Sequence, residues 1–323
     1  MYKDERDIYY YDVVSKVWNR KIPAGLPQYP HHQLAQALEK MFAGKHAEHR
    51  QTSTKQSVYI TQIEVHPDRC ELLLGFTDPR AADPTLADRS NNTRRVINKV
   101  LDEGIEHSAH VIWRYGNPGN ADSCAFFLEG ATGLRSGVVV RFINRLLRIY
   151  NDLTGYFSVP DPTGALDADG NFKKIKVRPR IELLGHPSAE FIKDLKKGEL
   201  TEIELYTESA KNTPWDGHGY AVEKSKSVLI VPNPAKHLPK AFGVIGGVLT
   251  DKNKANYEYA RIKFKTESNI VRNVRMFSDD YKLVNDDSYV KRERIEDLGN
   301  NLPNAFAKFN TPILTKMRAL AGI

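Results

Sequence analysis

The chain has 323 residues, 41% hydrophobic and 27% charged, the composition of an ordinary globular protein and not of a disordered or fibrous one. Its 47 Lys and Arg against 40 Asp and Glu give a formal charge of +7 and a pI near 9.1, an excess that selects an anionic partner only where the cations gather on one surface. No run of eighteen apolar residues occurs, and no apolar stretch follows the charged residues Met1–Asp7. Neither membrane insertion nor a secretory signal is therefore expected, and the expected location is cytoplasmic.

In chain order, Ile8–Trp18 is rich in Tyr and Val and predicts a strand. Leu34, Leu38, Met41 and Phe42 fall at helical spacing within Pro30–Phe42. Ser57–Val65 alternates as a strand, and Glu71–Thr77 reads as a more buried one, with His66-Pro67-Asp68 turning between them as a β-hairpin. Asp78–Asn92 is predicted as a long loop. Ala109–Trp113 and Cys124–Leu128 predict a second strand pair, joined through Gly116-Asn117-Pro118-Gly119. Ser136 is the expected N-cap of a helix reaching about Leu153. Pro160–Gly164 and Asp167–Gly170 mark a junction. Beyond it come a strand over Lys174–Leu184 and a helix from Ser188 to Lys197 with Gly198 at its C′ position. Strands follow at Glu202–Tyr206, Ser227–Val231, Tyr259–Lys265 and Asn269–Phe277. Lys240–Leu249 is ambiguous, and Leu302–Leu320 predicts one or two closing helices interrupted at Pro312.

The predicted class is α+β, with two domains, each a mostly antiparallel sheet with packed helices. The length exceeds what one core ordinarily holds. The expected division is an N-terminal α+β domain over 1–157, a linker over 158–171, and a basic, strand-rich domain with closing helices over 172–323. The two cysteines, Cys70 and Cys124, sit in apolar runs and are expected as buried inert thiols.

On a strand, Lys174, Lys176, Arg178 and Arg180 project from one face while Ile175, Val177 and Ile181 face the core. Such a row repeats every ~7 Å, close to the spacing of phosphates along a DNA strand. A second basic strand carries Arg261, Lys263 and Lys265, alternating with Ile262 and Phe264. Arg141, Arg145 and Arg148 form one stripe on the helix after Ser136, with Arg135 at its start. The competing reading for each is a solvated outer face, where lysines discourage edge pairing.

Catalytic signatures are missing: there is no P-loop, G-x-S-x-G or G-x-G-x-x-G. Gly243–Gly247 lacks the preceding strand and following lysine of a phosphate cradle. His107 and His110 enter a strand, where positions three apart point to opposite faces, so no metal is expected there. No cofactor is expected. Among the carboxylates Asp78, Asp83, Asp88 and Glu129, only Glu129, at a strand end, merits a nuclease test.

The strand containing Tyr59-Ile60 and the segment Phe127-Leu128-Glu129-Gly130 sit within an order of strand, helix, hairpin, charged loop, strand pair and helix. Over about half the chain, this order resembles the N-terminal half of the lambda Rex-like phage-exclusion DNA-binding proteins and the DNA-binding subunit of Kiwa-type defence systems. The resemblance implies a homodimer that binds double-stranded DNA with little sequence preference in phage exclusion or antiviral defence, alongside a second defence-system protein. The expected contacts, drawn from the charge pattern, are Lys174, Lys176, Arg178, Arg180, Arg261, Lys263 and Lys265, with Arg141, Arg145 and Arg148 as a secondary surface. The alternatives are a metal-dependent nuclease using Glu129 and a loop aspartate, or a non-catalytic sensor of a phage component.

Overall fold

In the computed structural model, the described residues are 4–19, 26–116, 124–161, 163–207, 226–231, 245, 248, 257–277, 282–284, 287, 289–299 and 302–323. The connection through Gly116-Asn117-Pro118-Gly119 and the ambiguous Lys240–Leu249 lie largely outside them.

A long first strand, β1 (Arg6–Trp18), organises the fold. Its start pairs with β17 (Arg292–Ile295), its middle with β8 (Ala125–Glu129), and its second half with β11 (Arg178–Gly185). From β8 the sheet continues through β7 (Ile105–Arg114), β4 (Arg69–Asp78), β3 (Ser57–Val65) and β2 (Glu48–Arg50). From β11 it continues the other way through β16 (Leu283–Val284), β15 (Val271–Phe277), β14 (Tyr259–Lys265), β12 (Glu199–Thr207) and β13 (Lys226–Ile230). Every recorded pairing is antiparallel. One sheet therefore runs through both halves of the chain, joined where β1 meets β11.

The helices are α1 (His31–Ala43), α2 (Ser136–Thr154), α3 (Ala189–Lys197) and α4 (Thr311–Ala321). The apolar face of α2 buries Ile143, Leu146 and Leu147 completely, each contributing about 1.5–3 kcal/mol of transfer free energy. They belong to one apolar cluster that reaches from Leu38 of α1 to Phe264 of β14. A separate cluster forms where α4 lays Ile313, Leu314 and Met317 against Ile8, Ile112 and Phe127. Alternate residues of β1, β7 and β8 thus feed two different cores, as the period of two in a strand requires. Among the described residues no helix is long and apolar enough to cross a membrane.

Several local features differ from expectation. Arg135, not Ser136, holds the N-cap position of α2 and caps nothing with its side chain. The Ser136 N–H is instead taken by the distant carboxylate of Asp287 at 3.0 Å, a tertiary substitute for a local cap. Gly198 ends α3 in extended backbone. A Cβ there would lie 2.5 Å from the Lys265 carbonyl oxygen, so this glycine serves close approach, not a left-handed turn. Pro312 lies in the first turn of α4 and begins the helix, since no intrahelical N–H bond is needed there. The loop expected over Asp78–Asn92 contains β5 (Thr85–Asp88), which pairs with β6 (Thr93–Val96). Within the expected linker, β9 (Ser158–Pro160) pairs with β10 (Lys174–Lys176). Val177 donates its N–H to the Phe157 carbonyl at 2.9 Å, and this splits the strand expected over Lys174–Leu184 into β10 and β11.

Candidate nucleic-acid interface

The arrangement of α2 against β11 builds the site. On one side β11 is paired with β1 along its length; on the other, β16 reaches only Leu184 and Gly185. The rest of that second edge is satisfied by a helix. Asn144 accepts from the Ile181 N–H at 2.8 Å and donates to the Ile181 carbonyl at 3.0 Å. Asn151, seven residues on and on the same helical face, donates to the Val177 carbonyl at 2.8 Å and accepts from the Phe157 N–H at 2.7 Å. Two side-chain amides thus do the work of a neighbouring strand, because buried backbone groups must be paired.

This docking sets the exposed arginine stripe of α2 beside the outward residues of β11. Arg135, Arg141, Arg145 and Arg148 from the helix and Arg178 and Arg180 from the strand line one groove of about 1050 Å³. All six are exposed. At ~1.5 Å rise per residue, the stretch from Arg135 to Arg148 spans about 20 Å. His49, Gln51 and Gln56 complete the polar lining, and Phe76 and Phe142 supply apolar floor. Although five strands lie between β2 and β11 in the sheet, His49 and Arg178 line the same groove; this part of the sheet curls around α2. Gly133 (φ +79°) permits the close approach at the helix entry, since a Cβ there would sit 2.3 Å from the Phe76 ring.

Among the described residues, no Asp or Glu lines the groove. Among the described residues, none of the six arginines has an ion-pair partner. Arg178 and Arg180 lie over the Trp18 ring at 5.8 and 5.6 Å, a cation–π arrangement. The field reaches His49, whose pKa is held below the ordinary value first by partial burial and then by Arg145 and Arg148.

The remaining expected contacts lie elsewhere. Lys174 and Lys176 belong to the β9–β10 hairpin; Lys176 donates from Nζ to the Asp152 carbonyl at 3.1 Å, near the C-terminal end of α2. On β14, Arg261 is ion-paired with Glu204 and Lys263 with Glu202 at 3.7 Å, each the cross-strand partner on β12. Lys265 stands opposite Glu199. These cations alternate with carboxylates across the sheet, in contrast to the acid-free groove.

Glu129 is fully buried. Its Oε1 accepts from Arg6 Nε at 2.9 Å; its Oε2 accepts from the His110 backbone N–H at 2.8 Å and meets His110 Nδ1 at 2.6 Å. His110 Nε2 accepts from the Asn310 N–H at 2.9 Å, so the ring proton resides on Nδ1 and points at Glu129. This network ties β1, β7 and β8 to the start of α4. The loop aspartates are engaged separately: Asp78 accepts from Gln56 at 2.7 Å, Asp83 from the Lys99 N–H at 3.4 Å, and Asp88 from Asn91 at 2.7 Å. Glu64, His66 and Glu71 also bring donor atoms within 4.8 Å of one another, but Glu71 is bound by Arg69 and Arg318.

Arg135, His49, Gln51 and Gln56 add to the residues expected from charge pattern. The signal for Arg135 was its place at the head of the helix, whereas β2 is too short to show periodicity. A scan against family models and a search of curated proteins find no match for this chain.

Proposed function

We propose that the protein binds nucleic acid without sequence preference, with double-stranded DNA as its target, by seating a phosphate backbone in the α2–β11 groove. One observation carries this reading: six arginines from two elements, without an ion-pair partner among the described residues, converge on a concave surface to which those residues contribute no carboxylate. Such a surface is costly to assemble unless an anion fills it, and phosphate contacts by Arg need no base recognition. Arg261 and Lys263 of β14 are left out of the interface, because Glu204 and Glu202 already neutralise them. Metal-dependent cleavage is not carried forward, since the carboxylate singled out for it is committed to Arg6 and His110.

The resemblance to phage-exclusion and Kiwa-type DNA-binding proteins supplies the setting proposed here, antiviral defence by a homodimer acting with a second protein. The two-unit organisation belongs to the same proposal: the groove takes Arg135–Arg148 from one side of residues 158–171 and Arg178 and Arg180 from the other. The test is a gel shift on unrelated duplexes. Arg145→Glu with Arg148→Glu is expected to weaken binding at least tenfold on every sequence, while Lys263→Gln leaves it unchanged. Equal affinity for wild type and the groove variant removes the groove from the function.

A further inference from the structure

Residues 85–98 leave the body of the molecule altogether. They comprise β5, its turn and β6, and every one of them is exposed. An isolated two-stranded ribbon is marginal in water, yet this one displays Leu86, Val96 and Ile97 at 45%, 55% and 45% exposure. It also displays Arg89, Arg94 and Arg95, none of which has an ion-pair partner among the described residues. The one acid of the stretch, Asp88, is turned inward on its own tip, where it accepts from Ser90 and Asn91. The ribbon is thus a cationic arm with apolar shoulders.

Its base is fixed beside the arginine groove. Asp78, at the end of β4, is held by Gln56, which lines the groove. On the return side, Asp102 pairs with Arg50 at 3.7 Å, the last residue of β2, and with Lys55 at 3.0 Å, in the turn from β2 to β3 that carries Gln51 and Gln56. Lys99 ties the two legs together by donating to the Pro79 carbonyl at 2.9 Å. A two-stranded β-ribbon fits the major groove of DNA, and its arginines reach the flanking phosphates.

We infer that residues 85–98 form an arm that grips the same duplex whose backbone occupies the α2–β11 groove, with Arg94 and Arg95 on phosphates and Leu86 and Val96 covered by the DNA. This inference rests on the groove reading. Its partner is chosen by charge, since three arginines face one self-satisfied aspartate.

The experiment compares wild type, Arg94→Ala with Arg95→Ala, and Arg145→Ala with Arg148→Ala on a duplex of about three helical turns. Binding is followed across a salt series and the oligomeric state by sedimentation. Because the arm residues bury nothing, the arm variant keeps the wild-type melting temperature. The expected result is at least a tenfold loss of affinity in the arm variant, with a salt slope smaller by about 2. Loss in the groove variant with wild-type behaviour in the arm variant overturns the arm and leaves the groove standing. A wild type that binds no duplex overturns the groove reading itself. A change of oligomeric state in the arm variant with unchanged DNA affinity and slope makes the arm a contact between copies and overturns its role on DNA.

Discussion

Replacing Arg145 and Arg148 together by alanine removes two cations from the groove and leaves the buried face of α2 intact, since both side chains are exposed. The loss is best read in the salt dependence, because released counterions count the phosphates engaged. Six groove arginines on six phosphates contribute about −5.4 to the slope of log K against log salt, at about −0.9 per contact. Between 50 and 200 mM salt that contribution amounts to roughly a 10³-fold fall in affinity. With four groove arginines left, the contribution becomes about −3.6 and the fall it causes roughly 10²-fold. Fluorescence anisotropy of a labelled duplex, titrated at three salt concentrations, measures both slopes. Thermal unfolding of the variant serves as the control and is expected to change by no more than about 0.5 kcal/mol. A variant with the wild-type slope would refute the reasoning, for it would show that these arginines release no counterions whatever else they do.

Two further predictions concern the frame that holds the groove. Glu129→Ala removes the carboxylate that faces the buried Arg6 guanidinium, 1% exposed in its side chain, and takes from His110 its acceptor; urea unfolding should show a loss of about 3–5 kcal/mol, and a loss under 1 kcal/mol contradicts the buried network. His31, at the start of α1, accepts from Trp113 Nε1 at 3.2 Å, and burial lowers its pKa from 6.5 to about 4. The native state therefore refuses a proton that the unfolded chain accepts, so stability falls as pH drops from 6.5 to about 4 and levels off below that, by about 3 kcal/mol at most. His31→Gln should flatten that part of the stability profile, and a profile unchanged by the substitution rules His31 out as its source.

Much of the architecture is written in local spacing. The apolar stripe of α2, the arginines at 141, 145 and 148, the Ser188 cap that accepts from the Phe191 N–H, and the β3–β4 hairpin all follow from short-range geometry, where a period of 3.6 or 2 leaves its mark on neighbouring residues. The alternation of Arg178 and Arg180 with buried Pro179 and Ile181 is equally legible. Which cations stand free is another matter. Glu202 and Glu204 lie about sixty residues from the strand they neutralise, and only the register of β12 against β14 brings them opposite Lys263 and Arg261. Asn144 and Asn151 read as ordinary polar positions on a helix until the uncovered edge of β11 arrives to claim them. The same holds for Asp287 at the head of α2 and for the curl that carries His49 across to Arg178. Periodicity comes from bonds a residue makes with its own turn or strand, whereas the pairing of charges is settled by contacts between segments far apart in the chain, whose distance leaves no trace in either segment alone.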